Sequence, residues 1–145
     1  LPFTRMMAGP ADYTPGVFAF ENPIIPGTRV LYTLSNQLAL FVVLYSPLQM
    51  ACDKIENYEK HPAEFQFLRD VPCDWEQSRL LDGNIGQYVV MARQDRHSED
   101  WYIGAITNEE PREITIIETR PVSATEEIKI HLASGGGSAI RFVKR

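Results

Sequence analysis

The sequence predicts an α+β chain, in which one strand–loop–helix unit is followed by a small antiparallel β-sandwich or twisted sheet. Apolar residues recur at helical spacing between residues 33 and 53, whereas they alternate with polar residues over residues 112–118 and 126–132. Turn segments of Gly, Asp and Asn, at residues 82–84 and 135–137, separate other predicted strands, which is typical of strands joined by hairpins.

The first predicted element is a short buried strand over residues 3–8, which Gly9 and Pro10 end. Residues 12–16 predict a turn, because an Asp side chain can bond the backbone that follows it and Pro-Gly suits the central positions of a type II turn. The prolines and the glycine within residues 17–27 predict a loop.

A helix is predicted over residues 33–53, with Thr33 or Ser35 capping its start. Pro47 is expected to kink this helix, because proline removes one backbone hydrogen bond and clashes with the preceding turn. The helix is expected to expose an apolar face meant for neighbouring elements. A second, short helix is predicted over residues 62–69.

Five or six antiparallel strands are predicted after residue 71. Tight turns are expected at residues 82–84 and 135–137, and a polar hairpin loop at residues 94–100. The strands are expected at residues 75–82, 87–93, 101–107, 112–118, 126–132 and 139–143.

These patterns divide the chain into residues 1–70 and residues 71–145. A single βα unit cannot bury both of its faces, so the first part is expected to need further strands and helices. The second part is expected to be a self-sufficient β domain. The chain also opens, without a starting Met, in a Gly- and Pro-rich stretch typical of a pocket rim, which indicates a piece of a larger protein.

Charge and hydropathy argue against two classes of partner. The formal net charge is −5, and the only basic cluster lies at the end of the chain, at Arg141, Lys144 and Arg145. Nucleic-acid binding needs a concentrated basic face, so it is not expected. No apolar run reaches the roughly 18 residues that cross a bilayer. Cys52 and Cys73 are expected to be buried free thiols, with a disulfide as the alternative.

Four segments of the chain together resemble a known family. FTRMMAGPADYTPG, NQLALFVVLYSPLQM, SRLLDGNIGQYVVMARQ and DWYIGAIT are similar, in this order, to segments of glycoside hydrolase family 97, the bacterial α-glucosidases and α-galactosidases. The resemblance implies an amino-terminal β-sandwich, a (β/α)8 barrel and a small carboxy-terminal β domain. On this resemblance, residues 1–70 are the last βα unit of the barrel, and residues 71–145 are the β domain that follows it.

The resemblance implies part of an exo-acting α-glycosidase that hydrolyses terminal α-linked glucose or galactose from an α-linked oligosaccharide. In the family, the acid and base carboxylates and the calcium-binding glutamates precede the FTR segment. No catalytic or metal-binding residue is therefore assigned to this chain, which is expected to be inactive alone.

The resemblance also implies a cofactor, partners and a cellular location. Calcium is the implied cofactor, the upstream barrel and amino-terminal sandwich of the same polypeptide are the implied partners, and the periplasm or the exterior of the cell is the implied location. The family pattern predicts a longer stretch between Ile114 and Glu118 than this sequence has.

Asp12 and Tyr13 are the candidate substrate-binding residues. They follow the predicted barrel strand, on the face where barrel active sites are built. Asp12 can hydrogen-bond a sugar hydroxyl and Tyr13 can border the sugar, while the alternative is that Asp12 only caps its turn. Arg5 is expected either to pair with an upstream carboxylate, lowering the pKa of that group, or to form a salt bridge in the barrel wall.

The alternative hypothesis is a non-catalytic carbohydrate-binding β module, which predicts a row of exposed aromatic side chains on one sheet face. Trp75, Trp101 and Tyr102 have the right chemistry, but their positions at the starts of strands favour a place in the core. The three histidines are not spaced as metal ligands.

Overall fold

The computed structural model describes residues 1–21, 25–119 and 125–143, which contain three α-helices, one 3-10 helix and six strands. The 3-10 helix is Arg5–Ala8. The α-helices are α1 Leu34–Val43, α2 Ile55–Glu59 and α3 Pro62–Asp70. The strands are β1 Trp75–Asn84, β2 Tyr88–Asp95, β3 Trp101–Thr107, β4 Arg112–Thr119, β5 Thr125–Leu132 and β6 Gly137–Phe142.

The strands form two antiparallel groups. A four-stranded sheet has the order β1-β2-β3-β6, and β4 pairs with β5 alone. The chain leaves the sheet after β3 and returns to it with β6, where Ile140 lies opposite Ile103. The predicted antiparallel β-sheet domain with a few helices is confirmed at this level.

One face of the four-stranded sheet packs against the β4–β5 pair. Successive side chains of a strand point to opposite faces, and Ile103 and Ala105 of β3 point toward this pair. They join Ile114 of β4 and Ile130 and Leu132 of β5 in one apolar core. Burying this face of both groups is the main source of their mutual stability.

The other face of the sheet packs against α1, and Gly104 makes the close approach possible. A Cβ atom at Gly104 would lie 2.7 Å from the Cβ of Val42 and 2.9 Å from the carbonyl oxygen of Ala39. Real Cβ atoms do not come this close. The absence of a side chain at residue 104 therefore sets the distance between helix and sheet.

The carboxyl end of α1 is tied to the sheet by a buried arginine. Arg93 of β2 donates hydrogen bonds to the carbonyl oxygens of Val42 and Val43 and to the hydroxyl of Ser78 on β1. A cation is favourable at a helix carboxyl end, where carbonyl groups lack partners. Burial lowers the pKa of the guanidinium group from its ordinary value.

The start of α1 follows the prediction, but its end does not. Thr33 caps the helix through its hydroxyl, and α1 then ends at Val43 instead of residue 53. Pro47 explains the early end, because within a helix it has no N–H for the Val43 carbonyl and its ring clashes there. The side-chain amide of Gln49 instead donates to the Phe41 carbonyl oxygen, 3.1 Å away.

The prediction that this helix exposes an apolar face is wrong for α1, although Leu48 and Met50 beyond it are exposed. All residues from 36 to 43 are buried. Phe18 from the preceding loop and Tyr58 from α2 pack with Leu38 in a separate apolar cluster. The helix is thus covered by the sheet and by other parts of residues 1–70.

The strand predicted over residues 3–8 is not formed in this chain. Arg5–Ala8 makes a 3-10 helix, and residues 10–20 have no regular secondary structure, so the turn predicted at residues 12–16 is absent too. A strand needs a neighbouring strand for its backbone N–H and C=O groups, and no described strand lies beside residues 3–8. Gly16 does have the positive φ, 97°, expected of a type II turn glycine.

The first hairpin turn lies beyond the predicted position. β1 continues through Asn84, with Gly83 opposite Val89, and the turn follows at residues 85–87. Gly86 takes the positive φ of this turn, 78°. A register shift between Leu80 and Asp82 marks a bulge in β1.

The remaining elements lie close to their predicted bounds. The strand at residues 101–107 is confirmed without change, and the helix predicted over residues 62–69 is confirmed and extends to Asp70. The short helix α2 was not predicted. The division of the chain near residue 71 stays a prediction.

Candidate functional site

The two candidate substrate-binding residues lie in one irregular loop but in different surroundings. Asp12 is exposed. Tyr13 is half-buried against Leu40, Leu44 and Val89. Burial, followed by the nearby Cys52 and Tyr32, raises the pKa of the Tyr13 hydroxyl from its ordinary value.

Tyr13 lines an open cavity between the first residues of the chain, α1 and the sheet. Its volume is about 630 Å³, and its wall includes Leu40 of α1 and Ile106 of β3. Glu109 is the sole carboxylate among the described residues that line it. The cavity therefore lacks the pair of carboxyl groups that glycoside hydrolysis requires.

The loop that carries Asp12 and Tyr13 is anchored on both sides. Before them, the backbone N–H of Ala11 donates to the carbonyl oxygen of Tyr45, 3.1 Å away. After them, the carbonyl oxygen of Pro15 accepts from the N–H of Cys52 at 3.3 Å. Three side chains from α1, α2 and the segment before α2 then hold residues 16–19.

Gln37 of α1 is the first of these side chains. Its Oε1 atom accepts hydrogen bonds from the backbone N–H groups of Gly16 and Val17, at 3.2 and 3.1 Å. Gln37 is only 6% exposed. The bonds therefore satisfy groups with little access to water, and losing them leaves buried polar atoms unpaired.

Asp53 is the second side chain, and both of its oxygens are used. Oδ2 accepts from the backbone N–H groups of Phe18 and Ala19, at 2.8 and 2.6 Å. Oδ1 accepts from the N–H of Lys54 and the side-chain amide of Asn57, both at 2.7 Å. Partial burial acts to raise the pKa of the carboxyl, but these hydrogen bonds outweigh it, and the pKa lies below its ordinary value.

Tyr58 of α2 is the third side chain. Its hydroxyl donates to the carbonyl oxygen of Gly16 at 2.9 Å and accepts from the N–H of Asp53 at 2.8 Å. Its ring lies 4.7 Å from the Phe18 ring and stacks on Phe65 at 5.2 Å. We call Gln37, Asp53 and Tyr58 the loop clamp.

Sequence reasoning missed the loop clamp, although one signal was present. Gln37 follows Asn36 in the helix Leu34–Val43, whose other residues are almost all apolar. A buried polar side chain needs a hydrogen-bonding partner, so these two residues indicated that other segments of the chain bind to α1. The signal does not identify Asp53 or Tyr58, because their partners are distant in sequence.

The aromatic candidates take the structural role that was favoured. Trp75 is 6% exposed and Tyr102 is 1% exposed, and they pack together against Val42. Trp101 is partly buried against the apolar core between the sheet and the β4–β5 pair, with the guanidinium of Arg79 over its ring.

Arg5 and the two cysteines lie outside the cavity, and the predicted acidic partner of Arg5 stays a prediction. The Arg5 guanidinium donates to the carbonyl oxygens of Gly9 and Pro10, at 3.2 and 3.1 Å, so it braces its own loop in this chain. Cys52 and Cys73 are free thiols as expected, but Cys52 is exposed and Cys73 is partly exposed. The expected burial of both is wrong.

The family model described as "Glycosyl-hydrolase 97 C-terminal, oligomerisation" matches residues 74–117. A glycoside hydrolase family 97 enzyme of Pseudoalteromonas sp. strain K8, solved with acarbose, superposes on 99% of the chain with a TM-score of 0.86 and 41% identity. The chain belongs to glycoside hydrolase family 97. It matches the carboxy-terminal portion of the enzymes of this family. The match covers 28% of that enzyme's chain.

Curated relatives agree with this assignment to family 97. A retaining α-galactosidase of Bacteroides thetaiotaomicron is 32% identical over 181 residues, which include 98% of this chain. A probable retaining α-galactosidase of Streptomyces bingchenggensis is 36% identical over 104 residues, or 72% of this chain. The chain spans about a quarter, 26%, of the length of the Bacteroides enzyme and 15% of the Streptomyces enzyme.

The described part of this family 97 chain offers no metal centre of its own. It contains no group of three or more His, Cys, Asp or Glu side chains placed to hold an ion. His61 lies instead against the Phe18 ring, 5.7 Å away. Among the same described residues, no helix is long and apolar enough to cross a membrane.

Proposed function

We propose that this chain is the carboxy-terminal part of an exo-acting α-glycosidase that hydrolyses terminal α-linked glucose or galactose. The observation that carries the proposal is the match of nearly the whole chain to family 97 enzymes, with a TM-score of 0.86 and 41% identity. The relatives named as retaining α-galactosidases, and the family 97 enzyme solved with panose, support an α-linked sugar as the substrate.

In this proposal, residues 1–70 complete a (β/α)8 barrel formed by upstream residues, and residues 71–145 form a β domain that braces it. Residues 3–8 then pair with barrel strands that this chain does not contain. The loop with Asp12 and Tyr13 contributes to the rim of the substrate pocket, because barrel active sites are built from the loops that follow the strands.

The chemistry itself belongs to upstream residues. Hydrolysis with retention needs two carboxyl groups about 5 to 5.5 Å apart, one as nucleophile and one as acid and then base. The 630 Å³ cavity is lined by one described carboxylate, Glu109, and the Asp12 side chain is exposed. This chain therefore contributes positioning and stability to the enzyme.

Calcium and location follow the family resemblance. The described residues offer no cluster of ligands for the ion, so we assign calcium binding to upstream glutamates of the whole enzyme, where the ion would act as a local positive charge. We place the enzyme in the periplasm or outside the cell.

The alternative, a carbohydrate-binding β module, has less support. It requires a row of exposed aromatic side chains on a sheet face. Among the described residues, α1 covers one face of the four-stranded sheet and the β4–β5 pair covers part of the other. Tyr32 is the one described aromatic residue among the exposed large apolar side chains, and it lies outside the sheet.

Hydrolysis of aryl α-glycosides tests the proposed function. The full-length polypeptide that carries this chain is assayed with an aryl α-glucoside and an aryl α-galactoside, beside the 145-residue chain alone. We expect hydrolysis of at least one substrate by the full-length polypeptide and none by the chain alone, because the carboxyl pair is upstream. Substantial hydrolysis by the isolated chain, or none by the full-length polypeptide, would refute the proposal.

A further inference from the structure

We propose that the loop clamp, Gln37, Asp53 and Tyr58, is a set of positioning residues that fixes residues 16–19 and thereby sets the place of Asp12 and Tyr13 at the pocket rim. The inference rests on the proposed function, and it identifies the residues of α1, α2 and the segment between them on which the rim depends.

The clamp acts on consecutive backbone groups of one short segment. The N–H groups of residues 16 and 17 bind Gln37, those of residues 18 and 19 bind Asp53, and the carbonyl of residue 16 binds Tyr58. Five backbone groups in four successive residues are thus held by side chains from outside the loop. Such a segment has few other conformations open to it, because each alternative breaks several hydrogen bonds.

Hydrogen bonds also connect the residues of the clamp with one another. Tyr58 accepts a hydrogen bond from the backbone N–H of Asp53, while Asp53 accepts one from Asn57, the residue before Tyr58. The start of α2 and the loop are therefore fixed relative to each other. Gln37 attaches the loop to α1 as well, and α1 is buried along residues 36–43.

The candidate substrate-binding residues lie just before the clamped segment. Residues 12–14 form a short span between two backbone hydrogen bonds, Ala11 to Tyr45 and Pro15 to Cys52. Pro15 and Cys52 directly precede the clamped Gly16 and the clamp residue Asp53, so the clamp holds the second end of this span in place. Asp12 is exposed on this span and Tyr13 lines the cavity. Loosening the clamp moves side chains that meet the substrate but leaves the upstream carboxyl pair in place, so substrate binding weakens more than the chemical step.

Two matched tyrosine variants of the full-length enzyme test the proposal. Tyr58→Phe keeps the stacked ring and removes the hydroxyl that holds Gly16. Tyr102→Phe is the control, because it also removes a buried tyrosine hydroxyl bonded to a backbone carbonyl, that of Asp70 at 3.0 Å, away from the loop. Both variants should lower the melting temperature.

The kinetic outcome separates positioning from stability. We expect Tyr58→Phe to raise KM about tenfold, equivalent to about 1.4 kcal/mol, with kcat within about twofold of wild type. Tyr102→Phe should leave KM unchanged. Equal KM values for Tyr58→Phe and wild type, or the same rise in both variants, would overturn the proposal.

Gln37 supplies a second test with a conservative rescue. Gln37→Met removes the acceptor for the N–H groups of Gly16 and Val17, whereas Gln37→Glu retains carboxyl oxygens there. We expect a raised KM for the first and partial recovery for the second. Gln66→Met, the same change at an exposed position of α3, is the control and should match wild type.

Hydrogen exchange distinguishes failure of this inference from failure of the proposed function. In the full-length protein, the amides of residues 16–19 should be protected in wild type and Tyr102→Phe, and should exchange at least tenfold faster in Gln37→Met. Unprotected amides in wild type would overturn the clamp even if the enzyme is active. A wild-type enzyme inactive on both aryl glycosides, with protected amides, would refute the proposed function and the role at its pocket, but not the clamp's hold on the loop.

Discussion

Two buried polar side chains of α1 form hydrogen bonds to segments that are distant in the sequence. Asn36 donates its side-chain amide to the Gly136 carbonyl at 3.1 Å, which fixes the turn before β6 against α1. Its neighbour Gln37 binds residues 16 and 17 on another side of the helix. Adjacent residues of one helix thus connect it to the β domain and to the rim loop.

The hydrogen bonds of Asp53 lead to a prediction about pH. The Asp53 pKa is lower in the folded chain than its ordinary value. A carboxyl of this kind contributes stability that is complete above the unfolded pKa, about 3.9, and is lost as the pH falls through the folded pKa. Asp53→Asn should therefore destabilise the chain at pH 7, and by progressively less as the pH falls below about 4.

Urea unfolding of wild type and Asp53→Asn between pH 7 and pH 3 measures this difference. Effects of the other carboxyl groups are common to both proteins and cancel in the comparison. A stability difference that stays constant, or grows, on acidification would show that the charge of Asp53 is not what the loop depends on.

At the scale of elements, the packing of α1 on the sheet leads to a prediction at Gly104. Gly104→Ala places a Cβ against Val42 and the Ala39 carbonyl, and the second of these is backbone that cannot swing aside. We expect a loss of stability of about 1–3 kcal/mol, the usual cost of overpacking a core, measured by urea unfolding. A stability within about 0.5 kcal/mol of wild type would contradict the close helix–sheet contact.

Gly83→Ala is the control for this substitution. Gly83 also lies in a strand, but the atom nearest to its added Cβ, at 2.7 Å, is the tip of the Phe3 ring. The tip of a side chain can move more easily than a backbone carbonyl, so the control should lose less stability than Gly104→Ala.

The elements show which parts of the fold are readable from local sequence. Strands β2 to β6 were predicted within a few residues, because alternation with period two and turn residues are local signals. The end of α1 was misplaced because apolar residues keep their helical spacing past Pro47. The proline itself ends the helix, since it has no N–H to donate and its ring clashes with the preceding turn. The turn after β1 was misplaced because Asp82-Gly83-Asn84 has turn composition, yet Gly86 takes the positive φ.

At the scale of the whole molecule, the arrangement of residues 1–20 depends on more than local sequence. Segment 3–8 has the composition of a strand, but a strand forms only beside a partner, and the described sheet offers none there. The fixed part of this region, residues 16–19, is held by partners 20 or more residues away. Pairings over such distances could not be predicted from periodicity.

The same limit applies to the candidate site. Asp12 and Tyr13 were chosen from their position after a predicted strand and from the family resemblance, and their contact with substrate stays a prediction. The resemblance itself was confirmed at the level of the family, because a family 97 enzyme is 41% identical over 99% of the chain. The chain spans 26% of the length of the Bacteroides enzyme, and the carboxyl pair that we propose for the whole enzyme lies outside this sequence.

The measurement that tests the central claim most directly is the intact mass and upstream sequence of the native polypeptide. We predict several hundred residues before Leu1, matching the remaining length of the family 97 relatives and including paired carboxylates upstream of the segment Phe3-Thr4-Arg5. A native polypeptide that begins near Leu1 would contradict the claim, because this chain alone would then have to supply a carboxyl pair that its cavity lacks.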